Sequence, residues 1–187
     1  MRNKVLYCIL IICFMLTACS NSKKVSNDVN QQTLQDEYIG VVAKEENISL
    51  QEAEQLIAGR KQEMQEKSMD VEILQRTEKR KINPYCTIQC TVFLEVAKNK
   101  DEKEILAVYV SSVEVIEEGY KTQIYGTYDS DLENGRAVVY YLGSMSCELS
   151  EEQIEELSIS KEDVIYSEDN KMYYKDDIKA IFNFVIG

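Results

Sequence analysis

Cys86, Cys90 and Cys147 are the thiols of this chain that sit among apolar, strand-like residues. Cys86 and Cys90 stand four positions apart, about 13 Å along an extended strand. A disulfide needs Cα atoms within about 7 Å, so these two do not pair with each other on a strand. Either all three are small buried hydrophobes, or one bridge joins Cys147, with Cys86 the favoured partner. That bridge would close a loop of about 60 residues, worth roughly 4 kcal/mol in the chain-entropy account. A catalytic thiol is not expected, because the chain holds no histidine to take its proton.

Asp129, Asp131 and Glu133 alternate just before Asn134-Gly135. Alternating oxygen ligands ahead of a glycine turn are how many calcium loops begin. Here the glycine comes one place late, and the twelfth position is Tyr140 where a bidentate glutamate belongs. The expected reading is a solvated hairpin loop. A weak calcium site, or a hydrolase built from these carboxylates, is the alternative.

The complete lack of histidine also rules out Ser-His-Asp and Cys-His catalysis, histidine-ligated zinc and histidine-ligated haem within this chain. No Gly-rich phosphate cradle occurs among the seven glycines. The net charge of −12 opposes a nucleic-acid partner. No enzymatic activity is expected, and no cofactor beyond that weak calcium alternative.

A different chemistry is written near the start. Arg2 and Lys4 precede an apolar run from Val5 to Leu16, 12 residues long, too short to cross a hydrocarbon layer of roughly 30 Å as a helix. The run closes on Leu16-Thr17-Ala18-Cys19. A basic start, a short apolar core and small residues before a cut form an export signal. The four closing residues resemble the lipobox of bacterial lipoprotein precursors, in the place where that family has it. The resemblance covers residues 1–19 alone. It implies cleavage before Cys19, a thioether-linked diacylglycerol on its sulfur, and a protein held at the extracytoplasmic face of the cell membrane. Two acyl chains anchor stably where one binds marginally, at about 0.8 kcal/mol per buried methylene.

Residues 1–18 are thus expected to be a signal peptide, and 19–36 the lipidated cysteine with a flexible tether. Between Ser20 and Asp36 only Val25, Val29 and Leu34 are aliphatic, too few to offset the ordering entropy of the segment. Residues 37–187 are expected to form one α+β domain. Without Arg2 and Lys4, 19 basic side chains face 33 acidic ones, a net charge of −14.

The elements that position these groups follow from periodicity. Ser49-Leu50-Gln51-Glu52 is a capping box, followed by Ala53, Leu56, Ile57 and Met64 on one face of a helix to about Lys67. Val71 and Ile73 open a strand. Cys86, Ile88, Cys90, Val92, Leu94 and Val96 then alternate as one buried face. Asn99–Lys103 is a loop, and Ile105–Val115 a return strand apolar enough on both faces to be central. Glu118-Gly119 turns into a strand over Tyr120–Tyr128. Asn134-Gly135 signals a hairpin into Ala137–Met145. Ser150 with Gln153 is a second capping box. Ile165-Tyr166 and Met172–Tyr174 flank a further hairpin, and 178–186 fits a strand or a helix, with β-branched and aromatic content favouring strand.

A helix followed by an antiparallel meander predicts an N-terminal amphipathic helix on one face of a curved sheet. Cystatin-like and NTF2-like folds share this order, an analogy of pattern that carries no function. Eleven acidic residues against three lysines between Glu148 and Asp177 suggest an electronegative face for a cationic protein partner. The expected role is therefore a membrane-tethered, non-catalytic interaction module, with small-ligand binding inside the curved sheet as a further alternative.

Overall fold

The computed structural model describes residues 31–116, 119–166 and 172–186. The signal segment, Leu16, Thr17, Ala18, Cys19 and the tether as far as residue 30 lie outside the described residues. So do Glu118 of the expected turn and residues 167–171 of the expected hairpin. The chain divides into two compact units, Met1–Gly40 and Val41–Gly187.

The described part of the first unit is helical, the start of α1 (residues 31–45). Helix therefore begins inside the stretch expected to be tether. The spacing of Leu34, Tyr38, Val41 and Val42, at i, i+4, i+7 and i+8, gives it an apolar stripe. That stripe is diluted by the surrounding Gln, Asp and Glu, which is why composition alone misses it.

In the second unit α2 (Leu50–Glu66) starts on the expected capping box, with Ser49 accepting from the Glu52 amide and Glu52 reaching back to the Ser49 amide. Ala53, Ile57 and Met64 are its buried residues. Met64 packs with Met69 and Ala97. The strands follow as β1 (Asp70–Asn83), β2 (Cys86–Lys98), β3 (Lys103–Ile116), β4 (Lys121–Glu133), β5 (Arg136–Leu149), β6 (Val164–Tyr166) and β7 (Met172–Phe184). A short helix, α3 (Glu151–Glu156), begins on the second capping box, between Ser150 and Gln153. The unit is α+β and mostly strand, antiparallel throughout.

The single curved sheet is corrected to two sheets, β1-β2-β3 and β4-β5-β7-β6. β3 and β4, though consecutive, do not pair, and β7 inserts between β5 and β6. Two apolar faces drive this division. One is the even-numbered face of β2, Cys86 to Val96. The other is built from Ala137, Val139, Met145 and Cys147 on β5 with Ile178, Ala180, Phe182 and Phe184 on β7, and both lie in one core cluster. Each sheet buries its apolar face on the other, as packed sheets do.

A second correction concerns the centre of the first sheet. β2, not β3, is its middle strand. Its odd-numbered face is buried as well, with Phe93, Glu95 and Ala97 all at 0% exposure. The segment 178–186 is strand as far as Phe184.

The Asn134-Gly135 turn has φ of 51° and 76°, positive at both central positions as a type I′ turn requires. It sets Glu133 opposite Arg136 and fixes the β4–β5 register from there. Midway along the ladder Gly126 faces Gly143. A Cβ on Gly143 would meet the Tyr125 carbonyl oxygen at 2.3 Å and the Tyr141 hydroxyl at 2.9 Å. The glycine pair makes room for the two backbones and the Tyr141 ring together.

Candidate functional site

The inner residues of the second sheet identify, by alternation, those on its outer face. These are the odd-numbered positions of β4 and β7 and the even-numbered ones of β5. An outer face in water is ordinarily polar. This one carries Tyr125, Leu142, Ile181, Ile165 and Tyr140, all among the exposed large hydrophobics. Val138 is the buried exception on that side of β5.

At one end the face is hollowed into a groove of about 510 Å³, lined by Gln123, Tyr125, Ser144, Ser146, Ile165 and Tyr173, with Met145 beneath. The register explains it. Ser144 pairs with Tyr125 and Ser146 with Gln123 across β4–β5, while Tyr173 pairs with Ile165 across β7–β6. Small side chains on β5 thus form a floor between two aromatic walls. The Tyr125 hydroxyl donates to Gln123 Oε1, which holds the amide in place. The volume lies in the range of small-molecule sites.

Asp129, Asp131 and Glu133 do not converge. They lie in β4 and not in a loop, on one side of an extended strand with about 6.8 Å between successive members, too far apart to share an ion bound at about 2.3–2.6 Å. No group of three potential metal ligands occurs among the described residues. The carboxylates are engaged otherwise. Asp129 accepts from the Ser130 amide at 2.9 Å, Asp131 accepts from the Leu132 amide at 2.7 Å, and Glu133 accepts from the Tyr140 hydroxyl. Ser130 and Leu132 direct their amides to the unpaired edge of β4, so the two aspartates cover edge donors. Glu78 and Arg80 treat the edge of β7 alike. Glu78 accepts from the Asn183 amide at 2.6 Å and Arg80 donates to the Ile181 carbonyl at 3.1 Å.

Cys86, Cys90 and Cys147 are free thiols, all buried; the Cys86–Cys147 bridge allowed by the sequence is not formed. Burial pushes the Cys86 thiol up to about 11 and the Cys90 thiol up to about 12. Burial also raises Cys147, against a hydrogen bond from the Thr122 hydroxyl that pulls the other way. Protonated, inaccessible thiols oxidise and attack slowly.

One charged cluster escapes a reading of the sequence. Glu95 is wholly buried on β2 and accepts from Arg60 of α2 at 2.7 Å. Arg60 also donates to the Tyr109 hydroxyl at 2.7 Å, and that hydroxyl donates to Glu46 at 2.9 Å. Burial works against the Arg60 charge, but its hydrogen bonds to Glu95 and Tyr109 outweigh it and hold the guanidinium more firmly protonated than usual. Burial raises the Tyr109 phenol to about 12. The four groups tie α2 to β2 and β3, and they are structural.

The acidic run includes α3, where Glu151, Glu152, Glu155 and Glu156 are exposed. The chain matches no family model, no curated protein and no solved structure. The cystatin-like and NTF2-like analogy thus gains no structural counterpart. Among the described residues no helix is long and apolar enough to cross a membrane.

Proposed function

We propose that this protein is a lipid-anchored, extracytoplasmic binding module of the cell membrane, without catalytic activity, that works through the outer face of the β4-β5-β7-β6 sheet. The observation that carries the binding role is the exposed diagonal of Tyr125, Leu142 and Ile181, with Ile165 at the far edge, on a face expected to be polar. Large apolar side chains grouped on an exposed face mark interaction surfaces, and tyrosines are favoured anchors there. The four exposed glutamates of α3 offer a second surface, for a cationic protein partner.

The anchor reading rests on Leu16 to Cys19. Support for a non-catalytic role comes from the absence of histidine, the buried, protonated thiols and the separated carboxylates of β4. The test is Cys19→Ala. It should leave an uncleaved precursor or release the protein from the membrane fraction, and unchanged processing with unchanged membrane association would overturn the anchor.

A further inference from the structure

We infer that the groove over Ser144 and Ser146 is a glycan-binding site, taking an uncharged segment of a polysaccharide chain. This rests on the reading of the outer face as the working surface and names what that surface takes.

The chemistry of the lining selects the ligand. Tyr125 and Tyr173 present phenol rings, Ser144 and Ser146 hydroxyls, and Gln123 an amide; all are neutral, and together they both donate and accept. An anionic ligand would find no cation among these lining residues, and the neighbouring positions of β7 balance in charge, with Asp177 opposite Ser144 and Lys175 opposite Ser146 in the register. A wholly apolar ligand would strip water from two serines and the glutamine and return no hydrogen bonds, at about 1–3 kcal/mol for each group left unsatisfied. A pyranose ring meets both demands. Its C–H face lies against a phenol ring, and its rim of hydroxyls reaches serine and amide groups.

The shape agrees. The groove is open along the sheet surface, and the apolar row continues from it through Leu142 towards Ile181, so a chain can extend past one ring. Tyr125 is 60% exposed in the free protein, which makes a stacking partner available without rearrangement. With the Tyr125 hydroxyl donating to its Oε1, Gln123 keeps both amide N–H donors for a ligand. A fixed donor geometry lowers the ordering cost of binding.

The experiment uses the full-length protein in detergent, run through native gels containing hydroxyethyl cellulose, glycol chitin or soluble starch. Calorimetry with chitotetraose and cellotetraose accompanies it. Tyr125→Ala removes the exposed wall, and Ser144→Tyr fills the floor; both positions lie on a solvent face, and each variant's melting temperature is checked against the parent. The expected result is retardation by at least one polysaccharide, weakened tenfold or more in both variants.

No retardation and no heat with any of these probes would overturn the inference, as would binding that both folded variants retain. A photo-crosslinking amino acid in place of Tyr125 in intact cells separates the two levels. Crosslinking to a protein, with every glycan inert, sinks the glycan assignment and leaves the binding face standing. No crosslink and no glycan binding removes both.

Discussion

Gly143→Ala is the most discriminating change in the fold, because a single methyl group there meets backbone on two sides. Its Cβ would lie 2.3 Å from the Tyr125 carbonyl oxygen, 2.8 Å from Gly126 Cα and 2.9 Å from the Tyr141 hydroxyl. The first two belong to the β4 main chain, so relief requires the β4–β5 ladder to move. Forcing a methyl into such a site costs about 1–3 kcal/mol, and the backbone clash places this case near the top of that range. Alanine also narrows the unfolded ensemble, a gain of about 0.4–1 kcal/mol. The net loss is about 2 kcal/mol, or roughly 4–8 °C in melting temperature for a domain of this size. Gly59→Ala is the matched control. Gly59 is exposed in the interior of α2 with nothing within 4 Å of a Cβ, so the same substitution should add about 0.8–1 kcal/mol there. Thermal unfolding followed by circular dichroism reads both. If Gly143→Ala melts within a degree of the parent, or rises as Gly59→Ala does, the close approach described for this ladder is wrong.

Three further outcomes are expected. Arg60→Met should destabilise by about 3 kcal/mol in urea titrations, since it leaves the buried Glu95 without its guanidinium, and adding Glu95→Met should recover part of the loss; an additive double variant would deny the coupling. The folded Cys86 and Cys90 thiols titrate near 11 and 12 against an ordinary value of 9. The unfolded chain therefore gives up these protons first, so their contribution is whole below about pH 9 and falls as the pH climbs to 11–12; replacing both by Ala should flatten that alkaline slope, and an unchanged slope counts against it. Millimolar calcium should leave the melting temperature where it was, because Asp129, Asp131 and Glu133 are spread along a strand; a clear rise would restore the calcium reading.

Local features were legible in the sequence because local physics sets them. Both capping boxes, the Asn134-Gly135 hairpin and the alternation from Cys86 to Val96 depend on residues a few positions apart. The division into two sheets depends on which apolar face meets which, and the β2 and β5 segments that meet are some fifty residues apart. β3 reads as central because Leu106, Val108 and Val110 make one face apolar while Ile105, Ala107 and Tyr109 do so for the other. β2 is central although Glu95 argues for solvent on its odd-numbered face; the charge is tolerated only because Arg60 arrives from α2, a pairing across 35 residues that no periodicity announces. The acidic alternation at 129–133 was visible, but whether it lies in a loop or a strand decides between a ligand set and a covered edge. The groove could not be read at all, since Tyr125, Ser144 and Tyr173 become neighbours only through the order β4-β5-β7-β6.

That strand order sets a sequence of events for folding. β7 is last in the chain among the described strands, yet it lies between β5 and β6. It supplies Ile178, Ala180, Phe182 and Phe184 to the shared core. The β1-β2-β3 and β4-β5 ladders can zip from short loops, but the core they share stays incomplete until β7 docks. A chain emerging from its N-terminus, from a ribosome or through a membrane pore, would therefore hold two unfinished ladders until residue 184 is clear. Contacts so distant in sequence slow folding and leave partly built sheets exposed meanwhile. Completion is tied to delivery of β7, and a chain that stalls short of it leaves the core without Ile178, Ala180, Phe182 and Phe184.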